Sequence, residues 1–446
     1  DTFWGVYLGQ SVDIGTPSDD VVDTVHIKDD AIDIAKLSAS GTASSSTFLR
    51  GDNAWATAGG ATSIDGLSDA IATSGDGGAS IGLGTDAVGN TQNYKFNIGL
   101  GYRALRNVTS GTNNVGIGNE PLKTLTTGSK NIGIGYSLGK LTTASGNVGI
   151  GYGTLKEATT GYDNVAIGLD TLDALTTGYD NIAIGGYTAS SMTTAQHNTA
   201  VGSGAMFACT TGIQNVAIGR LAMYNNTTAN YNTAIGASAL QANTTGTNNV
   251  AIGRQTMDAN TTASNNTAVG YSALGANTTG AENSAVGTSS LLDNTTGTRN
   301  SAMGYLALGN NTTGNDNVAF GRTSLYTNTT GAGNVALGKD AMDANTTGSN
   351  NVAIGIDALN TNTTASNNVA IGANAMDANT TGTLNVAVGG YALDANTTAS
   401  YNSALGYAAL GANTTGAYNT AIGQAALTTN STGARNTALG AQALNA

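Results

Sequence analysis

Cysteine occurs once in 446 residues, and proline and histidine twice each. A lone Cys209 excludes an intrachain disulfide and leaves the redox compartment unread. Two prolines cannot punctuate a chain this long, so its turns are made by other residues. Charged residues are 10% of the chain, against roughly 25% in ordinary domains. No run approaches the ~18 apolar residues of a membrane helix. No secretory leader is visible, and the chain begins at Asp1 rather than Met, which leaves a preceding segment open.

The little charge there is lies unevenly. Residues 1–79 hold 12 Asp against Lys28, Lys36 and Arg50, giving −9 of the total −12. The other 367 residues hold 16 acids and 13 bases, giving −3. A nearly neutral segment without a basic stripe is a poor partner for nucleic acid or an anionic membrane, and neither is expected.

What is present in abundance is glycine, 63 residues, and a beat of asparagines. Asn97, Asn114 and Asn131 open near-copies of Asn-Val-Ala-Ile-Gly, and after one 16-residue step to Asn147 the spacing is 17 residues through Asn164 and Asn181 to Asn436. A fixed internal period outranks other sequence signals. It replaces two or three globular domains with a solenoid that grows by adding coils. Counting back, Ser80-Ile81-Gly82-Leu83-Gly84 is a degenerate first coil, which makes 22 coils in all. At about 4.8 Å per stacked strand they would form a rod roughly 105 Å long.

In the coil Asn249 to Asn265, Asn249 is position 1 and Val250-Ala251-Ile252 occupy positions 2 to 4. Their alternation reads as a strand with positions 2 and 4 on one face and 3 on the other. Position 4 is large and apolar (Ile167, Ile184, Val201, Ile218, Met303, Phe320, Leu337) and position 3 is Ala or Gly (Gly116, Ala166, Ala387). The expectation is that position 4 packs inside the coil and position 3 against another chain along the rod. Position 9 is a second apolar anchor, as at Leu155, Leu172, Met206 and Leu240. Gly at position 5, and Gly or Ala at 15, are expected to turn corners with positive φ.

Position 12 divides the repeat. It is mostly apolar early (Leu125, Leu141, Leu175, Met192), with Cys209 read as one more small core hydrophobe. From there on it is Asn226, Asn243, Asn260, Asn277, Asn294, Asn311, Asn328, Asn345, Asn362, Asn379, Asn396, Asn413 and Asn430, each followed by Thr or Ser and then Thr. Three readings compete: a ladder of stacked Asn and Thr side chains, N-glycosylation or glycan contact on 13 sequons, and an ice- or glycan-binding threonine face. The ladder is the leading expectation.

Chemistry is sparse. His197 falls at the variable position 17, so neither histidine is expected to ligate zinc or act as a base. Asp258, Asp343, Asp377 and Asp394 share position 10 and read as a solvated edge. A glycosidase's carboxylate pair would break the repeat locally, and no coil carries such a break. Gly99-Leu100-Gly101 lacks the strand-to-helix context of a phosphate loop. No enzyme, cofactor or metal is expected. Tyr162, Tyr179, Tyr231, Tyr401 and Tyr418 at corner positions are candidate sugar-stacking groups.

Residues 1–79 have another texture. Ala31-Ile32 and Lys36-Leu37 lead to Thr47-Phe48-Leu49-Arg50-Gly51-Asp52-Asn53-Ala54-Trp55. This phrase resembles a linker common in tail-fibre and related virion proteins of tailed phages, and Arg50-Gly51-Asp52 is read as part of it rather than as an integrin motif. The coils resemble the head repeats of trimeric autotransporter adhesins, although the period of 17 is longer than usual there. That resemblance implies a left-handed, homotrimeric, all-β parallel roll over residues 80–446. The adhesins' anchor and heptad stalk have no counterpart in these residues, which favours the fibre reading. The expectation is therefore an attachment segment (1–25), a tail-fibre-like linker (26–79) and a β-solenoid shaft (80–446). Its partners would be its own copies, other virion proteins through residues 1–79, and a host-surface glycan or protein. The virion is the expected location, with a bacterial extracellular filament or surface adhesin as the alternative.

Overall fold

A computed structural model describes residues 47–49, 55–57, 70–75, 78–88 and 96–445. The attachment segment and most of the linker lie outside the described residues. Within the first of two compact units, β1 (Thr47–Leu49) and β2 (Trp55–Thr57) pair antiparallel, with Leu49 opposite Trp55.

The second unit, Ala72–Ala446, holds β3 (Ala70–Gly75) from its residue 72 onward, then β4 (Gly78–Leu83) and β5 (Ile98–Leu100) to β25 (Thr437–Leu439). From β5 to β24 each strand pairs in parallel with the strand one coil before and one coil after, and β4 and β25 end the stack. Like positions face like: Val250↔Thr267, Ala251↔Ala268, Ile252↔Val269. This is the expected β-solenoid, with the degenerate first coil in register (Ile81↔Ile98). Most strands are only three residues long, yet ladder bonds run around the whole coil. Val250 N–H donates to Asn266, Met257 to Ala273, and Thr261 to Thr278, at 2.8 to 3.1 Å. A coil too short to bury its own backbone thus satisfies it through its neighbours.

The two strand faces are the reverse of the expectation. Ala251, Ala268 and the other position-3 residues are fully buried, whereas positions 2 and 4 point outward. The physical reason is the width of the interior. A Cβ added at Gly99 would lie 2.4 Å from the Ala87 carbonyl oxygen, and at Gly116 2.9 Å from that of Ala104, on the opposite wall of the same coil stack. The coil itself therefore demands a small residue at position 3. The core comprises position 3, small residues at 8 such as Ala239 and Thr256, Leu or Met at 9, position 12, and Asn at 1.

Corners are made by left-handed residues, with only one glycine among them obligatory. Gly253 at position 5 has φ +136°, and in the same coil Gln255, Met257 and Asn265 at positions 7, 9 and 17 have φ 56°, 49° and 61°. Position 15 adopts no such φ, contrary to expectation; its carbonyl serves a different purpose, described below. Each left-handed non-glycine residue costs roughly 1–2 kcal/mol, and position 9 accepts that because a long apolar side chain must reach the core. Exposed position 17 has no such need. Leu384→Gly (φ 56°, 45% exposed) is expected to stabilise its coil by up to about 1 kcal/mol, read as slower amide exchange around residue 384. Gly333 already occupies this position three coils earlier, at φ 68°.

The one 16-residue coil, Asn131 to Gly146, has lost a residue from the corner at positions 6 to 8. Its strand β7 (Ile132–Tyr136) and the next, β8 (Val148–Tyr152), extend to five residues. Tyr136 stacks on Tyr152 at 5.5 Å. The Ser137 and Thr154 hydroxyls at the shortened corner are buried without a hydrogen-bond partner. The irregularity in the beat is thus a real local defect, confined to one corner.

Candidate functional site

Two asparagine columns run up the inside of the shaft and meet at one carbonyl. Asn249 Oδ1 accepts the backbone N–H of Asn266 at 3.0 Å and its Nδ2 at 3.3 Å, and Asn266 Nδ2 also donates to the Gly280 carbonyl at 3.0 Å. The second column adds Asn277 Nδ2, which donates to the same carbonyl at 2.9 Å and to Asn260 Oδ1 at 3.0 Å. Gly or Ala at position 15 keeps that doubly used carbonyl open to both amides. Beside it Thr261 Oγ1 donates to the Thr278 carbonyl at 3.1 Å, and the pattern repeats coil after coil. These bonds form the ladder of stacked Asn and Thr side chains.

The sequon asparagines are therefore interior groups. From Asn226 through Asn243, Asn260, Asn277, Asn294, Asn311, Asn328, Asn345, Asn362, Asn379, Asn396 to Asn413 they are fully buried, and Asn430 is half-buried. In each the nitrogen that would carry a glycan is committed to the position-15 carbonyl three residues on. A glycan on the folded coil would have to displace both bonds and open the core. Threonine at position 14 is exposed throughout, as at Thr245, Thr262 and Thr279.

The ladder starts at Cys209. Its thiol donates to the Gly212 carbonyl and its sulfur accepts from Asn226 Nδ2, both at 3.9 Å. Burial pushes the thiol up to about 11, so it stays protonated as a soft junction between Met192 and the first asparagine.

The corner side chains are mostly self-paired. Tyr162 stacks on Tyr179 at 4.7 Å with His197 edge-on to Tyr179, and Tyr401 stacks on Tyr418 at 4.8 Å with Arg435 beside it. Tyr231 stands alone among these, 53% exposed. Inner ring faces are thereby covered, and sugar stacking is left to the outer faces and edges. Bases pair locally: Lys123 with Glu120, Arg299 with Asp316, Lys339 with Asp340. Among the described residues no cluster of three or more side chains suited to a metal is present, and no helix is long and apolar enough to cross a membrane.

The position-10 aspartates are not a fully solvated edge. Partial burial raises Asp173, Asp258, Asp343, Asp377 and Asp394 above the ordinary carboxyl value of 3.8. A folded-state pKa above the unfolded one favours folding below 3.8, and that advantage is lost as pH rises through the folded value. Asp394→Asn is thus expected to stabilise its coil at pH 7, with the gain shrinking to nothing near pH 3, measured by melting at both. Asn360 already occupies position 10 in one coil, its amide on Asp357 at 3.3 Å. Asp316 behaves oppositely, since hydrogen bonds from Arg299 lower it.

The surface that periodicity did not reveal is the outer strand face. Ile184, Ile218, Ile235, Ile252, Met303, Phe320 and Leu405 at position 4 keep 37 to 51% of their surface exposed. Alternation signalled two faces but not which one looked outward. Compared with known proteins, the chain matches no family model and no curated protein.

Proposed function

We propose that the chain is a structural fibre of a phage virion, a stiff spacer and adhesin toward the host surface. The observation that carries this reading is the unbroken parallel ladder from β4 to β25, in which like positions of successive coils pair in register. Such a stack has little use for an internal pocket and converts chain length into reach. Residues 1–79, through the resemblance of their Phe48 to Trp55 phrase, attach the shaft to other virion proteins. Copies associate as a homotrimer along the rod, and multivalent contact with a host glycan or protein then compensates for weak individual sites. No catalysis, cofactor, nucleic acid or membrane insertion belongs to this reading.

Labelling intact phage particles with antibody to the shaft tests it; signal on a tail appendage is the expected result. Signal on bacterial cells instead, with hexose-sized mass increments on the Asn-Thr-Thr peptides, would favour a glycosylated surface filament. The buried amides of the ladder speak against those increments.

A further inference from the structure

We propose that the corner between Arg103 and Lys156, in the first coils, binds an acidic polysaccharide. Its bases take the carboxylates and its tyrosines the sugar rings. The proposal rests on the adhesive part of the reading above, and adds a ligand class and a place.

The near-zero charge of the shaft conceals a local excess. Residues 80–160 hold seven bases against Asp86, Glu120 and Glu157, giving +4, whereas residues 161–446 hold 13 acids and six bases, giving −7. Four of the bases form a column. Arg106, Lys123, Lys140 and Lys156 stand at position 10 or 11 of successive coils, and no later coil has a base at either position. Close contacts run along the corner. Arg103 Nε and Arg106 Nε lie 3.7 and 3.8 Å from Asp86, and Glu120 receives Arg103 at 3.5 Å and Lys123 at 2.8 Å. Lys140 pairs with Glu157. Lys156 is exposed and has no ion-pair partner among the described residues.

The shortened corner supplies the rings. Loss of one residue there straightens the chain, so β7 and β8 run on through positions 5 and 6 and pair Gly135 with Gly151 and Tyr136 with Tyr152. The two rings stack on that extension, with Tyr152 64% exposed and Lys123 Nζ 5.9 Å from the Tyr136 ring. Two coils earlier Arg103 lies over Tyr102 at 4.6 Å. The corner keeps this form although it leaves the Ser137 and Thr154 hydroxyls buried without partners, an exception in folded chains. What the form provides is a platform of fixed rings beside a row of cations.

Spacing and charge density select the ligand. Successive coils present a base about every 4.8 Å, close to the length of one sugar unit, and a polyuronate carries one carboxylate per sugar. Duplex DNA carries a charge every 1.7 Å or about that, and the three carboxylates among the bases would repel so dense an anion. An acidic peptide has no flat apolar face to lay on Tyr152, whereas a pyranose ring offers its C–H face.

The test titrates the full chain with oligogalacturonate, with fold checked by circular dichroism. Binding is expected, weakening about tenfold or more between low salt and 1 M, where charges are screened beyond ~3 Å. Lys140→Gln with Lys156→Gln should weaken it about tenfold, and Tyr152→Ala several-fold; all three side chains are exposed. Glu157→Gln should tighten it, because the change frees Lys140 and removes a repelling carboxylate, a gain that no loss of fold would produce. Arg299→Gln with Arg322→Gln removes the same charge far along the shaft and should change nothing. No binding, equal binding of neutral dextran, or an equal loss in the Arg299 and Arg322 pair would overturn the site. Tighter binding of polyglutamate or of a DNA duplex would overturn it as well, giving the corner to an acidic protein or to nucleic acid. None of these outcomes alters where antibody to the shaft labels a phage particle, so the site and the fibre fail separately.

Discussion

Asn294→Leu is expected to destabilise the middle of the shaft by about 2–4 kcal/mol, although leucine is the native residue at the same position in Leu125, Leu141 and Leu175. The substitution orphans two buried groups at once. Asn294 Nδ2 donates to Asn277 Oδ1 at 2.9 Å, and Asn294 Oδ1 accepts from Asn311 Nδ2 at 2.8 Å. Each buried polar group left without its partner costs about 1–3 kcal/mol. Losses are partial, because Asn311 keeps its bond to the Gly314 carbonyl at 3.0 Å and the Gly297 carbonyl keeps Asn283 at 2.9 Å. Leucine also brings bulk into a channel sized for an amide.

Asn226→Met is the matched comparison. It stands at the end of the ladder, where its only coil-to-coil donation goes to the weakly accepting Cys209 sulfur, and the preceding coils carry Met192 and Cys209. The expected cost is about half that at Asn294 or less, since one group rather than two is orphaned. Hydrogen exchange is the appropriate measure, because a stack of coils opens locally rather than all at once. Faster exchange should centre on Thr278 to Thr312 for the first variant. Equal effects at both positions would mean that the amides fill space and do not couple coil to coil.

Gly253→Ala is expected to be as damaging, for a reason seated in the backbone. Gly253 has φ +136°, a region closed to side chains, and an added Cβ would lie 2.5 Å from the Gly270 carbonyl oxygen of the next coil. Strain alone costs about 1–3 kcal/mol, and the overlap must be relieved by parting two coils that share ladder bonds on every side. Gly440 separates the two effects. Its φ is +120° with nothing within 4 Å of an added Cβ, so Gly440→Ala should show the strain without the clash. Thermal melting and exchange near residues 253 to 270 should register a loss at Gly253 clearly larger than at Gly440. Matching losses would remove the close approach of successive corners from the account.

Much of the shaft was legible because a coil is a local object repeated. The 17-residue step set register, the Ile and Val of positions 2 to 4 marked the strand, and Leu155 or Leu240 marked the core anchor. The short step before Asn147 located the corner where Ser137 and Thr154 lost their partners. The ladder of asparagines was readable as well, since identical polar residues stacked at strand spacing can satisfy one another. Less legible were the left-handed conformations of Met257 and Gln255. No local preference of these residues selects positive φ, and only the closure of the coil imposes it.

What the sequence determined by itself is the repeat and its parallel stacking, because period and pairing are properties of the pattern. Which side of the strand is interior was decided only in three dimensions. Val250, Ala251 and Ile252 alternate equally well either way. The opposite wall of the coil, too near for anything larger than Ala251, turns the isoleucine outward. The same closure draws the asparagines of positions 1 and 12 inward onto a shared carbonyl, which makes sequons into core and leaves an apolar stripe on the surface.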